Sequence, residues 1–177
     1  MFHPKIALDA RNRRIRRPKL VMMAAALAAT LLPAAAFAAP ASGAPAPQID
    51  AQALSGAPVD LADLRGKPVY LSFFTSWCVY CNAEAPALEA LSKTAADEGI
   101  QVIGIDEQES PAAAEAFAQK YGITYPIALD LTGAVGDAYG IDAYPTNVFI
   151  DAEGRVSYVQ VGEMTPAQIS GQLARMA

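Results

Sequence analysis

A buried strand that runs directly into a helix is the feature that most constrains this chain, and two cysteines lie at the junction. Residues 69–74 read Val-Tyr-Leu-Ser-Phe-Phe, an almost continuous apolar run that is typical of a strand covered on both faces. Apolar residues then recur at helical spacing, which predicts a helix over Val79–Asp97 with a kink at Pro86. Cys78 and Cys81 stand at the start of that helix in Cys-x-x-Cys spacing.

The spacing of the two cysteines favours redox chemistry. Two intervening residues in the first helical turn bring the sulfurs close enough for a disulfide, and the helix N-terminus stabilises a thiolate and lowers its pKa. We therefore expect Cys78 to be the attacking nucleophile and Cys81, more buried, to resolve the mixed disulfide. The alternative is an inert disulfide of a secreted domain, which would stabilise the fold only weakly because so short a loop constrains the unfolded chain little.

The scarcity of histidine and cysteine excludes several kinds of chemistry. The chain has two cysteines and one histidine, His3, which lies in the N-terminal leader. Cys-His and Ser-His catalysis and imidazole-based metal sites are therefore not expected in the folded part. Two thiols are too few for a closed zinc site, and Asn82 stands where covalent haem attachment needs histidine. We expect no metal and no other cofactor.

Charge is unevenly distributed along the chain. Seven of the 13 basic residues fall within the first nineteen positions, and the remainder carries six basic and seventeen acidic residues. So acidic a surface would repel phosphate backbones, which argues against nucleic-acid binding.

The N-terminus has the order of a secretory signal: a basic segment, the apolar run 20–32, and a small-residue cleavage site at Ala36-Phe37-Ala38. Residues 1–38 are thus predicted to be a signal peptide cleaved after Ala38, or alternatively an uncleaved membrane anchor formed by residues 20–39. Residues 39–47 are predicted to be a Pro/Ala-rich linker that buries nothing, followed by a folded domain over residues 48–177. Either interpretation places the domain in a periplasmic or other extracytoplasmic space, with membrane association only through the N-terminal segment.

The rest of the domain alternates between strands and helices. The pattern predicts a mixed sheet flanked by helices, an α/β fold. The predicted elements are an N-terminal hairpin (49–51 with 59–61), a strand (100–105), a helix (111–121), a short strand (127–129), a short helix (133–139), a hairpin (147–150 with 156–161) and a final helix to about Met176. The acidic run 106–109 is predicted to be a solvated loop, or alternatively a surface that helps to select a basic or weakly charged partner.

The run from Phe74 to Pro86 resembles the active-site signature of the thioredoxin superfamily, and more closely its TlpA/ResA branch of extracytoplasmic proteins. Trp77 before the first cysteine and Glu84 three residues after the second match that branch, and the segment 144–146 resembles the superfamily's cis-proline loop. The similarity extends from about Gln48 to the C-terminus. It implies a thioredoxin-like three-layer α/β/α domain with a mixed central sheet, an N-terminal β-hairpin and an inserted strand and helix.

The resemblance also implies an activity and the residues that carry it. The expected catalytic residues are Cys78, Cys81 and Glu84, the last tuning the thiol pKa values and relaying a proton; the alternative for Glu84 is a solvated surface carboxylate. Trp77, Tyr144 and a cis Pro145 are expected to bind the partner peptide, although an ordinary trans proline would fit the sequence equally well.

The implied activity is a thiol-disulfide oxidoreductase that reduces disulfides of extracytoplasmic partners, for example in cytochrome c maturation or on metal-chaperone cysteines. Its electrons would come from a membrane thiol donor. The departures from the family pattern are Tyr80, where many members have proline, and Asn82, where many have a basic residue. The alternatives are a thiol peroxidase and a non-catalytic binding module with a permanent disulfide.

Overall fold

The structure is a computed structural model and describes residues 39–176. Within that range the chain forms seven strands, four α-helices and one 3-10 turn (Leu61–Leu64). In chain order the strands and α-helices are β1 (Ala51–Ala53), β2 (Pro58–Val59), β3 (Val69–Phe74), α1 (Val79–Asp97), β4 (Gln101–Glu107), α2 (Pro111–Tyr121), β5 (Ile127–Asp130), α3 (Ala134–Tyr139), β6 (Thr146–Ile150), β7 (Val156–Val161) and α4 (Pro166–Leu173).

All seven strands form one mixed sheet in the order β2-β1-β5-β4-β3-β6-β7. The central strands β3, β4 and β5 are parallel, whereas β6 runs antiparallel to β3 and β1 antiparallel to β5. The carboxyl ends of β3, β4 and β5 therefore meet at one edge of the sheet, where open α/β sheets bind their ligands. The predicted α/β architecture with a mixed central sheet is confirmed.

Helices cover both faces of the sheet and give the three predicted layers. On one face, Tyr70 of β3 packs with Leu88 of α1 and Ile169 of α4, and Phe117 of α2 packs beside them against Phe74. On the other face, side chains of α3 and of the 3-10 turn pack against Leu71, Phe73 and their neighbours in the sheet. All six residues of β3 are buried, which explains why its sequence is nearly continuously apolar and does not alternate with polar residues.

Several element boundaries differ from the predicted ones. The bounds of α1 agree with the prediction, and the helix continues past Pro86. The N-terminal hairpin is shifted, with β1 at Ala51–Ala53 and β2 at Pro58–Val59, and the final helix ends at Leu173, before Met176. The strand predicted to end at Ile105 extends to Glu107, because it pairs with β5 as far as Asp130.

Part of the predicted linker packs on the domain. The Val156 N–H donates to the Ala44 carbonyl at 2.9 Å, the Gly43 N–H donates to the Val156 carbonyl at 2.7 Å, and Ala46 is buried. The prediction that residues 39–47 bury nothing is therefore wrong. The physical reason is that β7 is an edge strand, whose outer backbone groups an extended segment can satisfy.

The predicted signal peptide or anchor, residues 1–38, lies outside the described residues. Within residues 39–176 no helix is both long enough and apolar enough to cross a membrane.

Candidate active site

The two cysteines lie at the edge of the sheet where the parallel strands end. Cys78 follows β3 after three residues and is the N-cap of α1, and it forms a disulfide with Cys81, whose Cα lies 5.2 Å away. The Cys81 backbone N–H, unpaired within a first helical turn, donates to Cys78 Sγ at 3.1 Å. The same N–H would stabilise a Cys78 thiolate in the reduced protein.

Exposed apolar side chains surround a buried disulfide. Both cysteines are buried, whereas Trp77, Val79 and Tyr80 are 70%, 76% and 62% exposed. The other large exposed apolar side chains of residues 39–176 are Leu131, directly after β5, and Val161, which pairs with Thr146 at the start of β6. All five therefore lie along the edge of the sheet that carries the cysteines, which is the composition expected of a surface that contacts another protein.

The loop before β6 lies beside the disulfide. The Tyr144–Pro145 peptide bond is cis, as the resemblance implies. The Tyr144 ring meets the Trp77 ring edge-on, with 6.1 Å between centroids. Pro145 lines a small cavity that Cys81 and Glu84 also line. The structure thus brings together all six residues that the sequence nominated for the site.

Glu84 is buried, so it is not a solvated surface carboxylate. Its Oε2 accepts a hydrogen bond from the Met164 backbone N–H at 2.8 Å, and its Oε1 lies 3.5 Å from the Tyr70 hydroxyl. The same Tyr70 hydroxyl donates to Asn147 at 2.8 Å. Burial raises the pKa of Glu84 above its ordinary value, and the Met164 hydrogen bond opposes that rise only in part.

Asn82 holds the loop that carries Cys78. Its Nδ2 donates to the carbonyl oxygens of Ser76, at 2.8 Å, and Cys78, at 2.7 Å. Its Oδ1 accepts from the Tyr121 hydroxyl at 2.6 Å and from Lys120 Nζ at 2.9 Å. The sequence alone did not reveal this role of Asn82, because the residues on α2 that bind its side chain lie almost forty positions away.

The prediction of a solvated loop over residues 106–109 is wrong for the first two residues of the run, whereas Gln108, which follows β4, is exposed. Asp106 and Glu107 are the last residues of β4 and are buried. Burial, together with the nearby carboxyls of Glu109 and Asp130, raises the pKa of each to about 8. Glu109 accepts hydrogen bonds from the Ser76 backbone N–H and, at 2.7 Å, from its hydroxyl. Charged residues at a strand end resemble a loop in sequence, so only the pairing with β5 reveals this arrangement.

No cluster of three or more His, Cys, Asp or Glu side chains within residues 39–176 is arranged to hold a metal ion.

Comparison with known proteins gives consistent matches. Residues 41–173 match the Redoxin family. The thiol-disulfide oxidoreductase ResA of Bacillus thuringiensis is 33% identical over 134 residues, which cover 76% of this chain and 78% of the relative. ResA of Bacillus subtilis is 34% identical over 127 residues, covering 72% and 71%.

Solved structures that resemble this chain are also described as disulfide oxidoreductases or thiol:disulfide interchange proteins. The crystal structure of a secreted Mycobacterium tuberculosis disulfide oxidoreductase homologous to Escherichia coli DsbE superposes with a TM-score of 0.66 at 34% identity, covering 72% of this chain and 96% of that one. A Chlorobium tepidum structure described as the thiol:disulfide interchange protein DsbE gives a TM-score of 0.73 at 26% identity, covering 78% and 99%.

Proposed function

Because this chain belongs to the Redoxin family and is a thiol-disulfide oxidoreductase, we propose that it reduces disulfides of partner proteins outside the cytoplasm. The observation that carries the proposal is the position of Cys78 as the N-cap of α1, with its sulfur accepting a backbone N–H. The Glu84 carboxyl group lines the same small cavity as Cys81, and the Glu109 carboxylate accepts hydrogen bonds from Ser76, two residues before Cys78. Negative charge disfavours thiolates and so favours the disulfide form, which is the property of a reductant.

The exchange proceeds in two sulfur displacements. The Cys78 thiolate attacks one sulfur of the partner disulfide, a mixed disulfide forms, and the released partner thiolate takes up a proton. Cys81 then loses its proton and attacks Cys78 Sγ, which breaks the mixed disulfide and releases the second partner sulfur as a thiolate that is protonated in turn. Two electrons have passed to the partner, and the Cys78–Cys81 disulfide has formed.

We assign Glu84 the proton transfer in the second displacement. It lies one turn after Cys81 on α1, and both residues line the same small cavity. Because burial raises its pKa above the ordinary value, Glu84 holds the Cys81 proton more readily than an exposed carboxylate can.

Trp77, Tyr144 and Pro145 form the proposed binding surface for the partner. Trp77 is exposed and stands edge-on to Tyr144, and Pro145 has no N–H to leave unpaired under a bound peptide. The exposed apolar residues around them suit an extended segment with apolar side chains on either side of its cysteine. Cysteines of apocytochrome c or of a metal chaperone are the partners we propose, and a membrane thiol protein is the proposed electron donor.

The N-terminal segment gives the proposed location. We assign residues 1–38 as an export signal or residues 20–39 as a membrane anchor, either of which places the domain in the periplasm or an equivalent space. The Mycobacterium tuberculosis structural relative is described as secreted, which supports this location. N-terminal sequencing of the protein recovered from the membrane and soluble fractions would distinguish cleavage near Ala38 from retention.

The deciding experiment is the reduction potential of the Cys78/Cys81 pair, measured by equilibrating the protein with thiol-disulfide buffers and trapping thiols by alkylation. We expect a potential near that of thioredoxin, about −270 mV. A value near about −120 mV would make the protein an oxidant and contradict the proposed direction. A pair that never equilibrates would favour the binding module, and rapid consumption of dilute hydrogen peroxide would favour the peroxidase.

A further inference from the structure

Asp106 is a buried carboxyl group on the cysteine side of the sheet. It pairs in parallel register with Phe74, so the two side chains project from the same face. Phe74 packs in one apolar cluster with Cys78 and Cys81. Asp106 is 1% exposed, and neither of its carboxyl oxygens has a hydrogen-bond partner within residues 39–176.

An ionised carboxylate without a donor is costly in such a place, so Asp106 holds a proton there. The carboxyl group that contacts it belongs to Glu109. Two carboxylates can only accept hydrogen bonds, so this contact becomes a hydrogen bond when one proton lies between them. Burial and the neighbouring Glu109 both raise the pKa of Asp106, to about 8.

The hydrogen bonds of Glu109 decide which of the two residues carries the proton. Both Glu109 oxygens accept from Ser76, one from its N–H and one from its hydroxyl. Donors of this kind stabilise the ionised form, so Glu109 is the carboxylate and Asp106 the acid. Ser76 lies two residues before Cys78, and its carbonyl accepts from Asn82. The Asp106–Glu109 pair is thus connected to the loop that carries the nucleophile.

Within residues 39–176, the charged group that shifts the pKa of Asp106 is the Glu109 carboxyl group, and no cation does so. Glu109 faces it from the loop before α2, and Glu107 adjoins it on β4. Burial chiefly raises the pKa of Tyr144, in the loop before β6, and the carboxyls of Glu107, Asp130, Asp106 and Glu109 add to that rise. The α1 helix contributes the cysteine pair. An ionised Asp106 would therefore lie among other acidic groups.

We propose that Asp106 is a positioning residue. Its proton forms a hydrogen bond with Glu109, and this keeps the Glu109 carboxylate hydrogen-bonded to Ser76. The two carboxyl groups then carry one negative charge rather than two beside the cysteines. Loss of that proton in alkaline solution places a second charge beside Cys78, disfavours the thiolate and slows disulfide exchange. The inference rests on the proposed function only in that Cys78 is the reacting sulfur. The coupling is reciprocal, so a Cys78 thiolate makes Asp106 harder to ionise.

The test has two parts, both on the full chain. Carboxyl carbon resonances of Asp106 are titrated by NMR in the oxidised and reduced protein. We expect Asp106 to titrate well above ordinary aspartate in both states, and at higher pH in the reduced state. An Asp106 that ionises in the ordinary range for aspartate, or at one pH in both states, overturns the proposal.

The second part follows the rate of Cys78 alkylation in the reduced protein between pH 5 and pH 10. In wild type the rate is expected to follow the ionisation of Cys78 itself and a second ionisation near pH 8, above which the rate falls below that expected for Cys78 alone. Asp106→Asn should abolish the second ionisation, since asparagine keeps an N–H for Glu109 but cannot ionise. Glu107→Gln is the matched control, because Glu107 is a neighbouring acid that projects from the opposite face of the sheet. Loss of the second ionisation in Glu107→Gln, or its persistence in Asp106→Asn, contradicts the proposal.

These readouts do not depend on disulfide exchange with a partner. Alkylation requires only a free thiol, and the NMR titration requires only wild-type protein. If the protein failed to reduce any partner, the proposed function would be wrong while both measurements still decided the role of Asp106. If Asp106→Asn did not fold, the wild-type titration in the two redox states would decide it alone.

Discussion

The Glu84 carboxylate accepts a hydrogen bond from the Met164 backbone N–H at 2.8 Å, across 80 positions of sequence. This contact ties the helix that carries Cys81 to the turn that begins α4. Glu84 therefore has a fixed place beneath the disulfide, where burial raises its pKa. A carboxyl group that is held in place and whose pKa is raised by burial is better suited to proton transfer than an exposed carboxylate.

Replacing Glu84 by glutamine is expected to slow the second sulfur displacement by roughly a hundredfold, the lower range for loss of a general acid–base group. The fold should persist, because the glutamine carbonyl can still accept from Met164. The measurement is the release of the partner from a preformed mixed disulfide, followed by stopped flow. Glu163→Gln is the control, since Glu163 is an exposed carboxylate near Glu84. Equal release rates for the two variants would remove Glu84 from the mechanism.

The free energy of unfolding is expected to fall as the pH rises from about 5 to about 9. The folded protein holds the pKa of Asp106 and of Glu107 at about 8, above the ordinary values of 3.8 and 4.5 that the unfolded chain restores. The folded state thus binds more protons in this interval, and stability is lost as the pH passes through the folded pKa values. Urea unfolding at several pH values measures this, and Glu107→Gln should flatten the profile. A profile that rises over the interval would contradict the protonated state of these groups.

The local sequence pattern was sufficient to predict those parts of the structure that depend on residues close together in the sequence. The bounds of α1 followed from helical periodicity, and the place of Cys78 at its start followed from the strand before it. The burial of Asp106 and Glu107 did not follow, because charged residues at a strand end look like a loop until β5 pairs beside them. The docking of residues 43–46 was hidden for a similar reason: the unpaired edge of β7 that receives them lies more than a hundred positions away.

Gly133→Ala is expected to destabilise the protein by about 1 kcal/mol, because its φ of 80° is a left-handed backbone conformation that costs a residue with a Cβ about 1–2 kcal/mol. A Cβ there would meet the Gln108 side-chain amide, but Gln108 is exposed and its side chain can move aside. Gly66→Ala is the control, because Gly66 has φ of 87° and a Cβ added there would meet nothing within 4 Å. Urea unfolding should therefore show similar losses for the two variants. A clearly larger loss for Gly133→Ala would show that Gln108 is held in place.

The exposed Tyr80 between the two cysteines is expected to serve partner binding rather than stability. Its side chain is 62% exposed, and substitution of an exposed residue away from special features usually changes the free energy of unfolding by about 0.5 kcal/mol or less. Tyr80→Ser should leave unfolding nearly unchanged while it slows the reduction of a protein disulfide such as that of insulin. Oxidised glutathione is the matched control substrate, because it is too small to cover the apolar surface formed by Tyr80, Val79 and Trp77. If Tyr80→Ser slowed the reduction of the protein disulfide and of glutathione by the same factor, the substitution would act on the cysteine pair itself. The apolar surface would then have no part in selecting partners.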